Sequence, residues 1–111
     1  MKQRDIVLVP FPFSDYSGQK VRPGLVISNN SFNQSSDDIL ICAITTNIRP
    51  SKYSLIIETK ELEDGILYEK SAIKVETILR IRKQFIIKTI ATVNKPTFAK
   101  VNVLLSELFK A

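Results

Sequence analysis

The sequence predicts a mainly β fold: a small, strongly curved barrel of about six to seven strands with one C-terminal amphipathic helix. Three observations predict it. Short aliphatic and β-branched runs recur at close spacing from Ile6 to Val93, without the intervening helical patterns that a parallel βαβ sheet requires. A helical period comes only at the end, where Phe98, Val101, Leu104, Leu105 and Leu108 form one apolar stripe behind Pro96, a residue suited to a helix's first turn. The 111 residues, 44% of them hydrophobic, suffice for one ordinary core and not for two, so a single domain over residues 1–111 is expected, with no repeat and no linker.

Taken in order, Asp5 to Pro10 reads as a strand that stops at its proline, with Phe11-Pro12-Phe13 as a stiff apolar corner. Ser14 to Lys20 is small, polar and glycine-containing, a connection that brings Tyr16 and Lys20 towards Arg22 either as a lid or as a plain hairpin turn. Pro23 to Ser28 is the second strand. Asn29 to Asp38 is a long loop or a single helical turn pinned by Phe32, and Asp37-Asp38 within it reads as solvated, not as a metal site. Ile39 to Ile44 lacks alternation, which implies a strand buried on both faces. It ends in Thr45 and Thr46, which fit either an anion shelf or simple β propensity with a local hydrogen bond. Tyr53 to Glu58 is a further strand, and Lys60 to Gly65 a charged turn. Ser71 to Glu76 alternates, with Ile73 and Val75 on one face and Lys74 and Glu76 on the other, as a shared site or as a modest surface ion pair. Ile78 to Lys83 adds positive charge, and Ile86 to Val93 is the last strand, entered through a turn.

Composition narrows the chemistry. Sixteen basic against eleven acidic residues give a net charge of +5, which makes polyanions, nucleic acid above all, the first partners to consider. The chain has no histidine, so any proton transfer near neutral pH must use other groups. With a single cysteine, Cys42, an internal disulfide and a zinc site of nitrogen and sulfur ligands are both excluded, and the expectation is no metal and no cofactor. Cys42 sits in an apolar run and reads as a small buried hydrophobe. The N-terminus lacks the pattern of a signal peptide, and no run approaches membrane-spanning length, so a cytoplasmic protein that engages no membrane is expected.

The most informative stretch is Val21-Arg22-Pro23-Gly24-Leu25-Val26-Ile27-Ser28. Pro23 fixes its own φ and pushes Arg22 into an extended conformation, so the arginine is held at the mouth of an interior strand. Its planar fork of donors suits a phosphate; a solvated surface ion pair is the alternative reading.

Together with Arg4-Asp5-Ile6-Val7-Leu8-Val9-Pro10-Phe11-Pro12-Phe13-Ser14-Asp15 and Ala43-Ile44-Thr45-Thr46, this stretch makes the sequence resemble the MazF/PemK toxins over essentially its whole length. The resemblance implies an SH3-like barrel of the kind shared by CcdB, Kid and MazF. It also implies a homodimer, and cleavage of single-stranded RNA at a short motif until a cognate antitoxin blocks the groove. Arg22 matches the family's catalytic arginine and Thr45 its strand-end threonine, while Lys74 and Glu76 stand where the Kid toxin carries an arginine and an aspartate. Asp15, Tyr16, Gln19, Lys20, Thr46, Arg49 and Arg80 are the implied RNA-binding residues. Two positions depart from the pattern: relatives usually have a glycine between the basic residue and the aspartate, whereas here Arg4 stands directly before Asp5, and Gly24 follows Arg22-Pro23, where many have alanine or valine.

A site without histidine or metal suits RNA, because the ribose 2′-hydroxyl is an internal nucleophile and only alignment and charge stabilisation are left to the enzyme. Arg22 would stabilise the transition state, Thr45 would donate to a phosphate oxygen, and Glu76, if buried, would accept the proton. Lys74 or Arg22 would assist the leaving oxygen. The expected products are a 2′,3′-cyclic phosphate and a 5′-hydroxyl. Two alternatives belong to other classes: a gyrase-binding toxin of the CcdB type, and a non-catalytic RNA- or protein-binding barrel that only holds phosphates.

Overall fold

The computed structural model describes residues 1–11 and 20–111. Among them are seven strands, β1 (Asp5–Phe11), β2 (Lys20–Val26), β3 (Asp38–Thr45), β4 (Ser54–Ile57), β5 (Leu62–Gly65), β6 (Ser71–Arg82) and β7 (Lys88–Val93), two α-helices, α1 (Asn30–Ser35) and α2 (Lys95–Leu108), and two single 3₁₀ turns, Thr59–Glu61 and Lys83–Phe85. The strands form one antiparallel sheet in the order β4-β6-β3-β2-β1-β7-β5, curled into a half-barrel with β4 and β5 at its edges. The expected barrel and C-terminal helix are therefore present. The apolar corner at Pro12 and Phe13 and the connection from Ser14 to Gln19 lie outside the described residues.

The sheet carries a core on each face. On one, Ile6, Leu25, Cys42, Ile44, Ile73, Val75 and Val93 pack beneath Phe98 and Val101 of α2. On the other, Val7, Val9, Phe11, Val26, Ile39, Ile41 and Ala43 form a second cluster. Successive side chains of a strand point to opposite faces, so β3 feeds both cores, which is why Ile39 to Ile44 shows no alternation. Each fully buried isoleucine or valine contributes roughly 1.5–3 kcal/mol. The helix begins where its sequence signals it: the Asn94 side chain accepts from the Thr97 amide at 2.9 Å, and Pro96 occupies the first turn.

Four elements differ from the sequence reading. Pro23 lies inside β2, not at its start; β3 pairs only with Gly24, Leu25 and Val26, so the proline's missing N–H falls where that ladder has already ended. The segment Asn29 to Asp38 contains α1, capped by Asn29, but Asn33 pins it: its buried amide donates to the Ser28 carbonyl at 2.9 Å, while Phe32 is only half-buried. Leu62–Gly65, read as a turn, is an edge strand on β7; its residue types carry no strand signal, and pairing with Val93, Thr92 and Ala91 overrides them. Ser71 to Arg82 is one strand, not a strand and a charged tail. It bulges: Cys42 faces Ile78 and the next residue, Ala43, faces Lys74, so Val75, Glu76 and Thr77 have no partner on β3.

Candidate active site

Gly24 on β2 faces Ala43 on β3, which faces Lys74 on β6, which faces Ser54 on β4. Two residues further along their strands on the same face stand Arg22 and Thr45, the latter opposite Ala72. Small side chains at Ala43, Ser54 and Ala72 leave a depression among the larger polar ones. The result is a cleft of about 360 Å³, lined by Arg22, Thr45, Asn47, Arg49, Ser51, Lys74 and Glu76, with Phe11 and Ala43 as apolar walls. Glu76 reaches it from the bulge of β6, which frees that carboxylate from the regular ladder.

Three cations against one carboxylate make the cleft a site for an anion. Arg22 is half-buried within β2, opposite Val9 of β1, and not at the strand's mouth as the sequence suggested; its Nε is withdrawn from solvent, which restrains the guanidinium. The Thr45 hydroxyl accepts from the Asn47 amide at 3.1 Å, which orients it and leaves its own hydrogen to donate to a ligand. Lys74 is half-buried between Ala43 and Ser54. Glu76 is exposed at the margin and lacks the burial that the sequence reading attached to its role as proton acceptor. Beneath it, burial and then the Glu76 charge push the Cys42 thiol from 9.0 up to about 12; its Sγ lies 3.7 Å from the Val75 carbonyl, to which it donates.

The four residues matched to catalytic positions thus share one cleft. Arg49 joins them. Lys20 and Thr46 line an adjoining depression of about 220 Å³ that shares Arg22 and Thr45 with the first. Arg80 does not come near: it sits opposite Leu40 towards the other end of β3, where its Nε donates to Asp38 at 2.6 Å. It belongs to the ladder end. Asp15, Tyr16 and Gln19 lie outside the described residues. Sequence reasoning passed over Asn47, Ser51 and Ser54; Ser54 was available only through the register that sets it beside Lys74. Among the described residues, no three Cys, Asp or Glu side chains gather closely enough to hold a metal ion, and no helix is long and apolar enough to cross a membrane.

A curled antiparallel sheet with one C-terminal helix is the fold this chain shares with the small MazF-like toxins. The Mycobacterium tuberculosis toxin MazF-mt6 is similar at 15% identity, with 96% of each chain covered and a TM-score of 0.78. A mycobacterial endoribonuclease, solved in complex with its cognate antitoxin, is similar at 18% identity over 96% of this chain and 92% of its own, with a TM-score of 0.77. MazF of Deinococcus radiodurans, solved with MazE, is similar at 15% identity over 97% of this chain and 94% of that chain, with a TM-score of 0.79. No curated protein matches the chain in sequence. The family model for the PemK-like, MazF-like toxins of type II toxin-antitoxin systems matches residues 2–109, and the chain belongs to that family.

Proposed function

We propose that this toxin is a cytoplasmic endoribonuclease that cuts single-stranded RNA at a short sequence motif, without a metal, by attack of the ribose 2′-hydroxyl on the adjacent phosphate. The observation that carries the reading is the convergence of Arg22, Thr45, Lys74 and Glu76 on one basic cleft. As the O2′–P bond forms and the P–O5′ bond breaks, Arg22 stabilises the charge on the non-bridging oxygens and Thr45 donates to one of them. Glu76 takes the 2′-hydroxyl proton and Lys74 supplies one to the departing O5′. RNA laid along the cleft covers Glu76, providing the burial that the free protein lacks. The products are a 2′,3′-cyclic phosphate and a 5′-hydroxyl. The mycobacterial and Deinococcus proteins are bound by antitoxins, which supports a cognate antitoxin as the inhibitor here; the functional unit proposed is a homodimer.

The test incubates wild type and Arg22→Ala in EDTA with a long unstructured RNA and the same sequence as DNA, and analyses the product ends. Wild type is expected to cut only the RNA and to leave cyclic phosphates, with Arg22→Ala slower by roughly 100- to 1,000-fold, the usual cost of one such donor. Intact RNA with folded wild type, or cleavage unaffected by Arg22→Ala, overturns the mechanism.

A further inference from the structure

Beyond the cleft, the surface runs on to a feature that the cleavage chemistry leaves unused. The depression holding Lys20 and Thr46 shares Pro23, Thr46 and Ser71 with a third, of about 770 Å³, lined by Leu8, Gly65, Ile66, Leu67, Tyr68, Glu69, Lys88, Thr89 and Ile90. The three depressions therefore adjoin in series through shared lining residues, from Lys74 and Glu76 past Arg22 and Thr45 to the one beside Tyr68. The Tyr68 side chain has no structural duty: it is 93% exposed, and its neighbour Ile66 is 59% exposed. Both follow Gly65, whose φ of +91° turns the chain at the end of β5. Lys88 is exposed on the wall of the same depression, and Lys70 is exposed two residues after Tyr68.

An exposed aromatic ring beside lysines, next to a depression that adjoins a basic cleft, is an arrangement that suits single-stranded nucleic acid: lysines follow the backbone and the ring stacks on an unpaired base. We propose that Tyr68 is a stacking platform for a nucleotide that flanks the cut phosphate, with Lys88 holding the backbone beside it. The proposal rests on the RNA-cleaving reading for its ligand. Glu69, on the same rim, repels phosphate and accepts from a base amino group, which keeps the backbone on the lysine side. Stacking tolerates any base, so the platform contributes affinity and register, while the motif is read elsewhere.

The experiment uses the full chain and a 12-nucleotide 2′-fluoro RNA pool, which lacks the nucleophile, with binding followed by anisotropy across a salt series. Tyr68→Ala is expected to bind about 5-fold or more weakly with an unchanged salt slope, Tyr68→Trp to restore affinity, and Lys88→Gln to reduce the slope by about 0.7. With cleavable RNA, Tyr68→Ala raises KM and leaves kcat in place. Thermal melting checks that each variant is folded. Unchanged affinity in Tyr68→Ala, while wild type still binds and cuts RNA, overturns the platform alone and assigns that ring to a protein partner. Tyr68-dependent binding without cleavage by wild type keeps the platform and removes the nuclease reading. A wild type that neither binds nor cuts removes both.

Discussion

Cys42 is fully buried on the helix side of β3, and its thiol, raised from 9.0 to about 12, makes stability depend on pH in a predictable direction. Below about pH 9 the group is protonated in both folded and unfolded chains and contributes no slope. Between pH 9 and 12 the unfolded chain loses the proton while the folded chain keeps it, so stability falls as pH rises, by at most about 1.4 kcal/mol per pH unit. Urea midpoints between pH 8 and 11 are therefore expected to drop more steeply for wild type than for Cys42→Ala, even though the alanine variant starts lower from lost packing; parallel curves would show that the thiol does not carry the slope. The burial of this residue was legible from its apolar run, whereas its coupling to Glu76 was not, because that depends on the bulge. Arg4 is the converse case. Its φ of +83° places it in the left-handed region, where glycine is the ordinary residue. Its Nη1 donates to the Val93 carbonyl at 2.9 Å and to Glu63 at 3.0 Å, contacts across the chain that hold the conformation and that no local sequence reading shows.

At the scale of elements, β2 owes its close approach to β3 to Gly24. A Cβ there would stand 2.6 Å from Ile41 Cδ1, so an isoleucine of the neighbouring strand already fills the space that a side chain at this position would need. Gly24→Ala alone is expected to destabilise by roughly 1–3 kcal/mol through overpacking, and adding Ile41→Val, which removes Cδ1, to recover most of that loss. Chemical denaturation of the two single variants and the pair measures the coupling; strictly additive effects would refute the compensation. Strands rich in isoleucine and valine announced themselves in the sequence, and so did the capped helix. The edge strand β5 did not, since Leu62-Glu63-Asp64-Gly65 has no strand composition and pairs only because β7 offers an open edge.

For the whole molecule, the curled sheet separates two tasks: one face takes α2 and most of the large core, and the other presents the cleft on a narrower apolar floor. Thr45 was legible because it ends a recognisable strand and Arg22 because it stands directly before Pro23, and antiparallel pairing of β2 with β3 brings the two together. Arg80 lies away from the cleft for a topological reason: β6 runs antiparallel to β3, so six residues beyond Lys74 it has travelled roughly 20 Å towards Asp38, minus what the bulge absorbs. That bulge also sets a timescale. Since Glu76 and Thr77 have no partner on β3, their amide hydrogens are expected to exchange with deuterium through small local openings that denaturant barely accelerates, while those of Ile41 and Ile44 exchange only when the entire chain unfolds. Uniformly slow exchange along β6 would contradict this. If the proposed nuclease reading holds, a carboxylate that opens separately from its scaffold would adjust to each RNA while the strand beside it stays fixed.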